Sequence, residues 1–134
     1  MTPATRVWAV MRELVLDHDR REEVCVALGM SFFRIKVLRR VAAEPATMGV
    51  LAERLGSDPP YVSIVVDDLV RRGLLTRTGD PGDRRRKIVS VTAEGARAAA
   101  RAEELMAAPP AVLAGLPADE LAVLDRVLGR LVIR

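Results

Sequence analysis

The stretch Val66-Asp67-Asp68-Leu69-Val70-Arg71-Arg72-Gly73-Leu74-Leu75, running on through Thr76-Arg77-Thr78-Gly79-Asp80-Pro81-Gly82-Asp83-Arg84-Arg85-Arg86-Lys87 to Ile88-Val89-Ser90-Val91, decides the fold. Its first part closes a helix whose apolar residues Val62, Val65, Val66, Leu69 and Val70 share one face, with Gly73 as the stop. Leu74 to Thr78 reads as a short strand. Gly79 to Asp83 has the composition of a turn, and Ile88 to Val91 alternates as a second strand. Upstream, Asp58 is placed to cap that helix, and Pro59 suits its first position, where a missing N–H costs nothing. Before it, Thr47 opens a shorter helix with Met48, Val50, Leu51, Ala52 and Leu55 as its apolar set, stopped by Gly56. Two short helices around a glycine turn, followed at once by a basic hairpin, read as a winged helix-turn-helix, whose second helix enters a major groove.

Outward from this unit the chain reads as helix. Ser31 opens one with Phe32, Ile35, Leu38 and Val41/Ala42 as its stripe, ending before Pro45. Between Thr5 and Leu28, Val7, Val10, Met11, Leu14, Val24, Cys25 and Leu28 fall at helical spacing, but the run Asp17-His18-Asp19-Arg20-Arg21-Glu22-Glu23 is polar all round. One long helix with a wet centre and a helix broken there both fit. Downstream, Thr92 with Glu94 and Gly95 starts an alanine-rich helix to about Ala108, broken by Pro109-Pro110. A final amphipathic helix runs from Asp119 to about Arg134, with Leu121, Leu124, Val127, Leu128, Leu131 and Val132 on one face. The expected fold is mainly α with a small β-hairpin. It forms a single domain over 1–134, with a winged helix-turn-helix at 31–95 flanked by helical dimerisation regions at 1–30 and 96–134.

Composition narrows the chemistry. One cysteine excludes a disulfide framework within the chain, and one histidine excludes a histidine-rich metal centre. Asp17-His18-Asp19 is no metal site, because consecutive helical residues point in different directions. No glycine-rich phosphate loop, nucleophile elbow or metalloprotease motif is present, so no enzyme, metal or cofactor is expected. There is no signal-peptide pattern and no apolar run of membrane-spanning length, and the expected location is cytoplasmic. The 134 residues carry a net charge of only +3, but Arg71 to Lys87 holds seven cations against Asp80 and Asp83, so that window is +5 and the remainder −2. Placement of charge, not its total, points to nucleic acid.

At this point the sequence resembles the MarR-type transcription regulators. The resemblance is carried by Leu51-Ala52-Glu53-Arg54-Leu55-Gly56, by Val66 to Leu75, by Asp80 to Lys87 with its Asp83-x-Arg85 pattern, and by Val91-Thr92-Ala93-Glu94-Gly95. It implies a homodimer with interlocked terminal helices, a pseudo-palindromic double-stranded DNA operator, and regulation by a small-molecule effector of unknown identity or by an oxidant. The expected function is a sequence-specific regulator, a repressor of a nearby operator. The alternative is a winged-helix protein-interaction module without specific DNA binding, for which Pro59-Pro60 and Ile64 are the motive.

By this resemblance Pro60, Tyr61, Ser63 and Ile64 face the groove. Tyr61 and Ser63 offer hydrogen bonds, whereas Pro60 and Ile64 offer only contacts to thymine methyls or sugars. Where Ile64 stands many relatives carry a polar residue, which favours indirect readout. For Tyr61, packing on the wing or on the earlier helices is the alternative. Arg85 is the minor-groove residue with Asp83 fixing the turn, Arg84, Arg86 and Lys87 touch phosphates, and Arg71 is counted among the DNA-binding residues. Ser31 and Arg34 add backbone contacts, and Thr47 is either a phosphate donor or simply a helix cap. The dimerisation set is Val7, Met11, Leu14, Leu121, Leu124, Leu128 and Leu131. Leu14, Val24 and Leu28 with Leu121, Leu124, Leu128 and Leu131 form more apolar surface than a small winged module needs, folding back on their own module being the alternative. Trp8 belongs to the core, to the dimer interface or to an effector pocket. Cys25 stands where some relatives sense oxidants; a small buried hydrophobe is the alternative.

Overall fold

The computed structural model describes residues 1–132. Eight helices and three strands follow in chain order among them: α1 (Pro3–Asp17), α2 (Arg21–Leu28), α3 (Phe32–Ala43), β1 (Ala46–Thr47), α4 (Met48–Leu55), α5 (Pro59–Arg71), β2 (Leu75–Asp80), β3 (Asp83–Val91), α6 (Ala93–Ala107), α7 (Ala111–Ala114) and α8 (Ala118–Leu131). The chain divides into two compact units. One comprises Asp19–Met106; the other comprises Met1–His18 and the segment from Ala107 onward. Helices α2 and α6 therefore share a unit with α3 to α5 and the sheet.

The Asp19–Met106 unit is built on the apolar stripes of α3, α4 and α5. Ile35, Val37, Leu38, Val41, Leu51, Val62, Val65, Val66, Leu69, Leu75 and Val89 are all fully buried. At about 1.5–3 kcal/mol for each such side chain, this burial is the main driving force for the unit. Gly56 ends α4 at φ 60° and Gly73 follows α5 at φ 78°, left-handed conformations that a side chain would strain. At Gly56 the N–H groups of Gly56 and Ser57 bond back to Glu53 and Ala52, which closes α4 and turns the chain into α5. Beside this core, Val24 of α2 and Ala102 of α6 pack with Ile35, and Cys25, Leu28, Leu105 and Met106 lie against them.

Several sequence expectations change here. Helix is interrupted between α1 and α2 at His18 to Arg20, so of the two readings of the polar run the broken helix holds. The sheet has three antiparallel strands in the order β1-β3-β2, because Ala46 and Thr47 pair with Val89 and Ile88. Two residues are too few for alternation to show in sequence. Strands β2 and β3 reach further into the basic loop than expected, leaving Pro81 and Gly82 as the turn. Asp58 occupies the N-cap of α5 but makes no side-chain capping bond. Pro60, at one of the two positions such a cap usually serves, has no N–H to offer. Helix α7 was hidden behind Pro109-Pro110. Helix α8 ends at Leu131, and the expected continuation to Ile133 and Arg134 lies outside the described residues.

In the other unit, no described residue of α1, α7 or α8 is buried within the chain. Trp8 is 61% exposed, which removes it from the core. No helix among the described residues is long and apolar enough to cross a membrane.

Candidate nucleic-acid interface

The candidate interface lies wholly within the Asp19–Met106 unit, on α3, α4, α5 and the β2–β3 wing. On α5 the residues that hold the helix in place and those that leave it are cleanly separated. Val62, Val65, Val66 and Leu69 are buried, while Pro60, Tyr61 and Ile64 are exposed and Ser63 is half-buried. Ile64, 59% exposed, presents an apolar side chain to solvent. Tyr61 is 43% exposed and its ring lies 5.0 Å from that of Phe33 on α3, so it packs on an earlier helix and not on the wing. That contact still leaves part of the ring outward.

The wing gets its shape from a break in pairing. Gly79 sits opposite Lys87, but the next pair is Asp80 with Asp83, so Arg84, Arg85 and Arg86 have no partner position on β2. Such an irregularity bends a strand and re-aims its side chains. Two aspartates stabilise it: Asp80 Oδ1 accepts the Gly82 N–H at 2.9 Å, and Asp83 Oδ1 accepts that of Arg85 at 3.1 Å. Asp83 therefore shapes the turn. The Arg85 side chain is 94% exposed, with its Nε 3.6 Å from Asp83. Among the described residues no ion pair engages Arg84, Arg86 or Lys87. Arg85, Arg86 and Lys87 also line one groove with Thr47, Met48, Gly49, Val50 and Glu53, so the wing faces the start of α4. Thr47 caps that helix, its hydroxyl accepting the Val50 N–H at 3.4 Å.

The other cations are handled differently. Asp68 Oδ2 accepts from Arg34 Nε at 2.8 Å and from Arg72 Nε at 2.9 Å, and Asp68 Oδ1 lies 3.4 Å from Arg71 Nη2. Arg34 also donates to Ser31 Oγ, and Arg72 to the Gly29 carbonyl. Ser31 caps α3 through the Arg34 N–H. Hydrogen bonding from Arg34 holds the Asp68 carboxyl below the usual carboxylate range, helped by Arg72 and opposed by partial burial. Next to it, Asp67 pairs with Arg77 of β2 and ties α5 to the wing.

The sequence window that began at Arg71 thus left out the acids that answer three of its cations. Begun at Asp67, it holds seven cations and four anions. The Asp68–Arg72 and Asp68–Arg71 pairs were legible as helical neighbours three and four residues apart. Those to Arg34 and Arg77, and the ring contact of Phe33, were not, because they join separate elements and not neighbours on one helix. Cys25 is half-buried on α2 against the small cluster around Ile35.

Residues 28–86 match the model of the MarR family. This segment is similar to the MarR-family winged helix. Solved structures extend the fold likeness over nearly the whole chain. Wild-type MarR from E. coli in its apo form is 24% identical with a TM-score of 0.73, covering 99% of this chain and 98% of that one. YusO from Bacillus subtilis is 20% identical with a TM-score of 0.76, covering 98% and 97%. A Cys-to-Ser mutant of E. coli MarR complexed with operator DNA is 21% identical with a TM-score of 0.59, covering 99% and 100%. No curated protein matches the chain at comparable significance. The matched segment holds the turn, helix α5 and most of the wing, including every arginine from Arg71 to Arg86.

Proposed function

We propose that this protein is a sequence-specific, double-stranded-DNA-binding transcriptional regulator that acts as a homodimer and represses a nearby operator until a small-molecule effector releases it. The observation that carries the reading is the outward flank of α5 (Pro60, Tyr61, Ile64) beside a wing whose Arg84, Arg85, Arg86 and Lys87 are all exposed, with only Arg85 near an acid among the described residues, Asp83. In this reading the flank of α5 lies in the major groove, Arg85 reaches the minor groove, and Arg84, Arg86, Lys87 and Thr47 meet phosphates.

Dimerisation is supported by the exposed apolar residues of α1 and α8. Val7, Leu124, Leu128 and Leu131 are solvent-facing in the single chain, and a second subunit is the natural cover. Two reading helices about 34 Å apart would then meet successive major grooves. An effector that alters this spacing costs one head its docking, which is a coupling between two sites.

Selection of duplexes from a random pool, followed by a gel shift, tests the reading. An enriched, two-fold-symmetric sequence that survives competitor DNA at moderate salt is expected; none surviving refutes it. The exposed Ile64 and Tyr61 favour one other reading, a protein-docking module. It predicts partner binding without the steep loss of DNA affinity as salt rises.

A further inference from the structure

We propose that Asp68 is a specificity-determining residue that works by withholding cations, holding Arg34, Arg71 and Arg72 away from DNA phosphates. The proposal rests on the DNA-binding reading above and adds to it a device against binding the wrong sequences.

The geometry separates two classes of arginine in one module. Arg34 and Arg72 are each anchored twice, on Asp68 and on a second oxygen: Ser31 Oγ for Arg34 and the Gly29 carbonyl for Arg72. Arg71 is held more loosely by the other carboxylate oxygen. At the wing tip, among the described residues, Arg84 and Arg86 make no ion pair and Arg85 meets only Asp83, at 3.6 Å. An ionised carboxylate only accepts and has room for about four bonds, so three guanidiniums nearly fill it. Binding to arbitrary duplex DNA is set by how many phosphates the protein neutralises. Discrimination is a difference of two affinities, and it widens when the sequence-independent one is lowered. An acid that occupies three arginines near the reading helix does this without touching DNA. The same bonds join the end of α5 to the first turn of α3, so Asp68 also fixes where that helix sits.

The test is anisotropy of a labelled random-sequence duplex, titrated from about 50 to 200 mM salt, with wild type, Asp68→Asn and Asp68→Glu. Each arginine released onto a phosphate should steepen the salt slope by about 0.9, so the ratio of Kd values across that range grows about 3.5-fold per arginine. Asp68→Asn is expected to bind this duplex more tightly and with a steeper slope, and Asp68→Glu to restore wild-type behaviour. An unchanged slope, or weaker binding with an unchanged slope, overturns the proposal. Arg34→Gln gives an answer even if Asp68→Asn misfolds. A slope equal to wild type supports an arginine already withheld, and a slope reduced by about 0.9 overturns it. Wild-type protein that binds no duplex at low salt overturns both this proposal and the function it rests on. Wild-type binding with an unaltered Asp68→Asn slope overturns this one alone.

Discussion

Gly95→Ala sets two well-characterised effects against each other. Gly95 lies in the first turn of α6, where alanine is the better helix former by about 1 kcal/mol. Its position argues the other way. A Cβ built there would stand 2.0 Å from the Leu74 carbonyl oxygen, 2.9 Å from its carbonyl carbon and 2.7 Å from Val91 Cγ2. Two of these neighbours are backbone and cannot rotate away. The Leu74 carbonyl is moreover fixed by the Thr92 N–H at 3.1 Å and the Thr92 hydroxyl at 3.1 Å. Relief requires α6 to retreat by about an ångström, which loosens the packing of buried Ala99 and Ala102. Overpacking of this kind costs roughly 3 kcal/mol, so the net loss is about 2 kcal/mol. For a chain of this size that lowers Tm by roughly 6–10 °C. Urea and thermal denaturation followed by circular dichroism measure it. The control is Gly49→Ala on α4, where an added Cβ meets nothing within 4 Å. There a gain of up to about 1 kcal/mol is expected. If Gly95→Ala proves as stable as wild type while Gly49→Ala gains, the close approach of α6 to Leu74 is wrong.

Other outcomes follow from the same geometry. Arg85→Ala should weaken binding to a selected operator by about 1–3 kcal/mol and leave the sedimentation behaviour unchanged; equal affinity would remove the wing from the interface. Because the folded Asp68 carboxyl titrates below its ordinary value of 3.8, its stabilising contribution is complete above that value and is lost as pH falls through the lower one. Acid unfolding of Asp68→Asn should therefore lack this component, and an unshifted acid profile would contradict the arginine bonds. Replacing Leu124 and Leu128 together by Glu should yield monomer in analytical ultracentrifugation with near-wild-type secondary structure, and a persisting dimer would place the interface elsewhere. Cys25→Ser should leave the response of DNA binding to peroxide as it is in wild type; a response that vanishes in this variant would make Cys25 a sensor.

Much of this was legible one residue at a time. Apolar spacing marked α3, α4 and α5 and their buried faces, since a helix that must bury Val62, Val65, Val66 and Leu69 has one way to turn. Thr47 and Ser31 advertised helix starts through hydroxyls that cap locally, and Gly56 and Gly73 advertised the ends. Strand β1 and helix α7 escaped, being too short for a period to form. At the site, the wing cations came from local order and the shaping role of Asp83 from the family resemblance. What became of each cation did not. A charge count treats Arg71, Arg72 and Arg77 like Arg84, Arg85 and Arg86.

The sequence by itself determined the longer helices, the buried faces of α3, α4 and α5, and that a basic hairpin follows a helix-turn-helix. These depend on neighbours within a few residues, where spacing and capping act. Only the tertiary structure decided which arginines are spoken for. Asp68 meets Arg34 across thirty-four positions of chain, whereas among the described residues the wing's Arg84 and Arg86 meet no acid and Arg85 only its neighbour Asp83. Coulomb attraction acts through space, so that sorting waits for the fold.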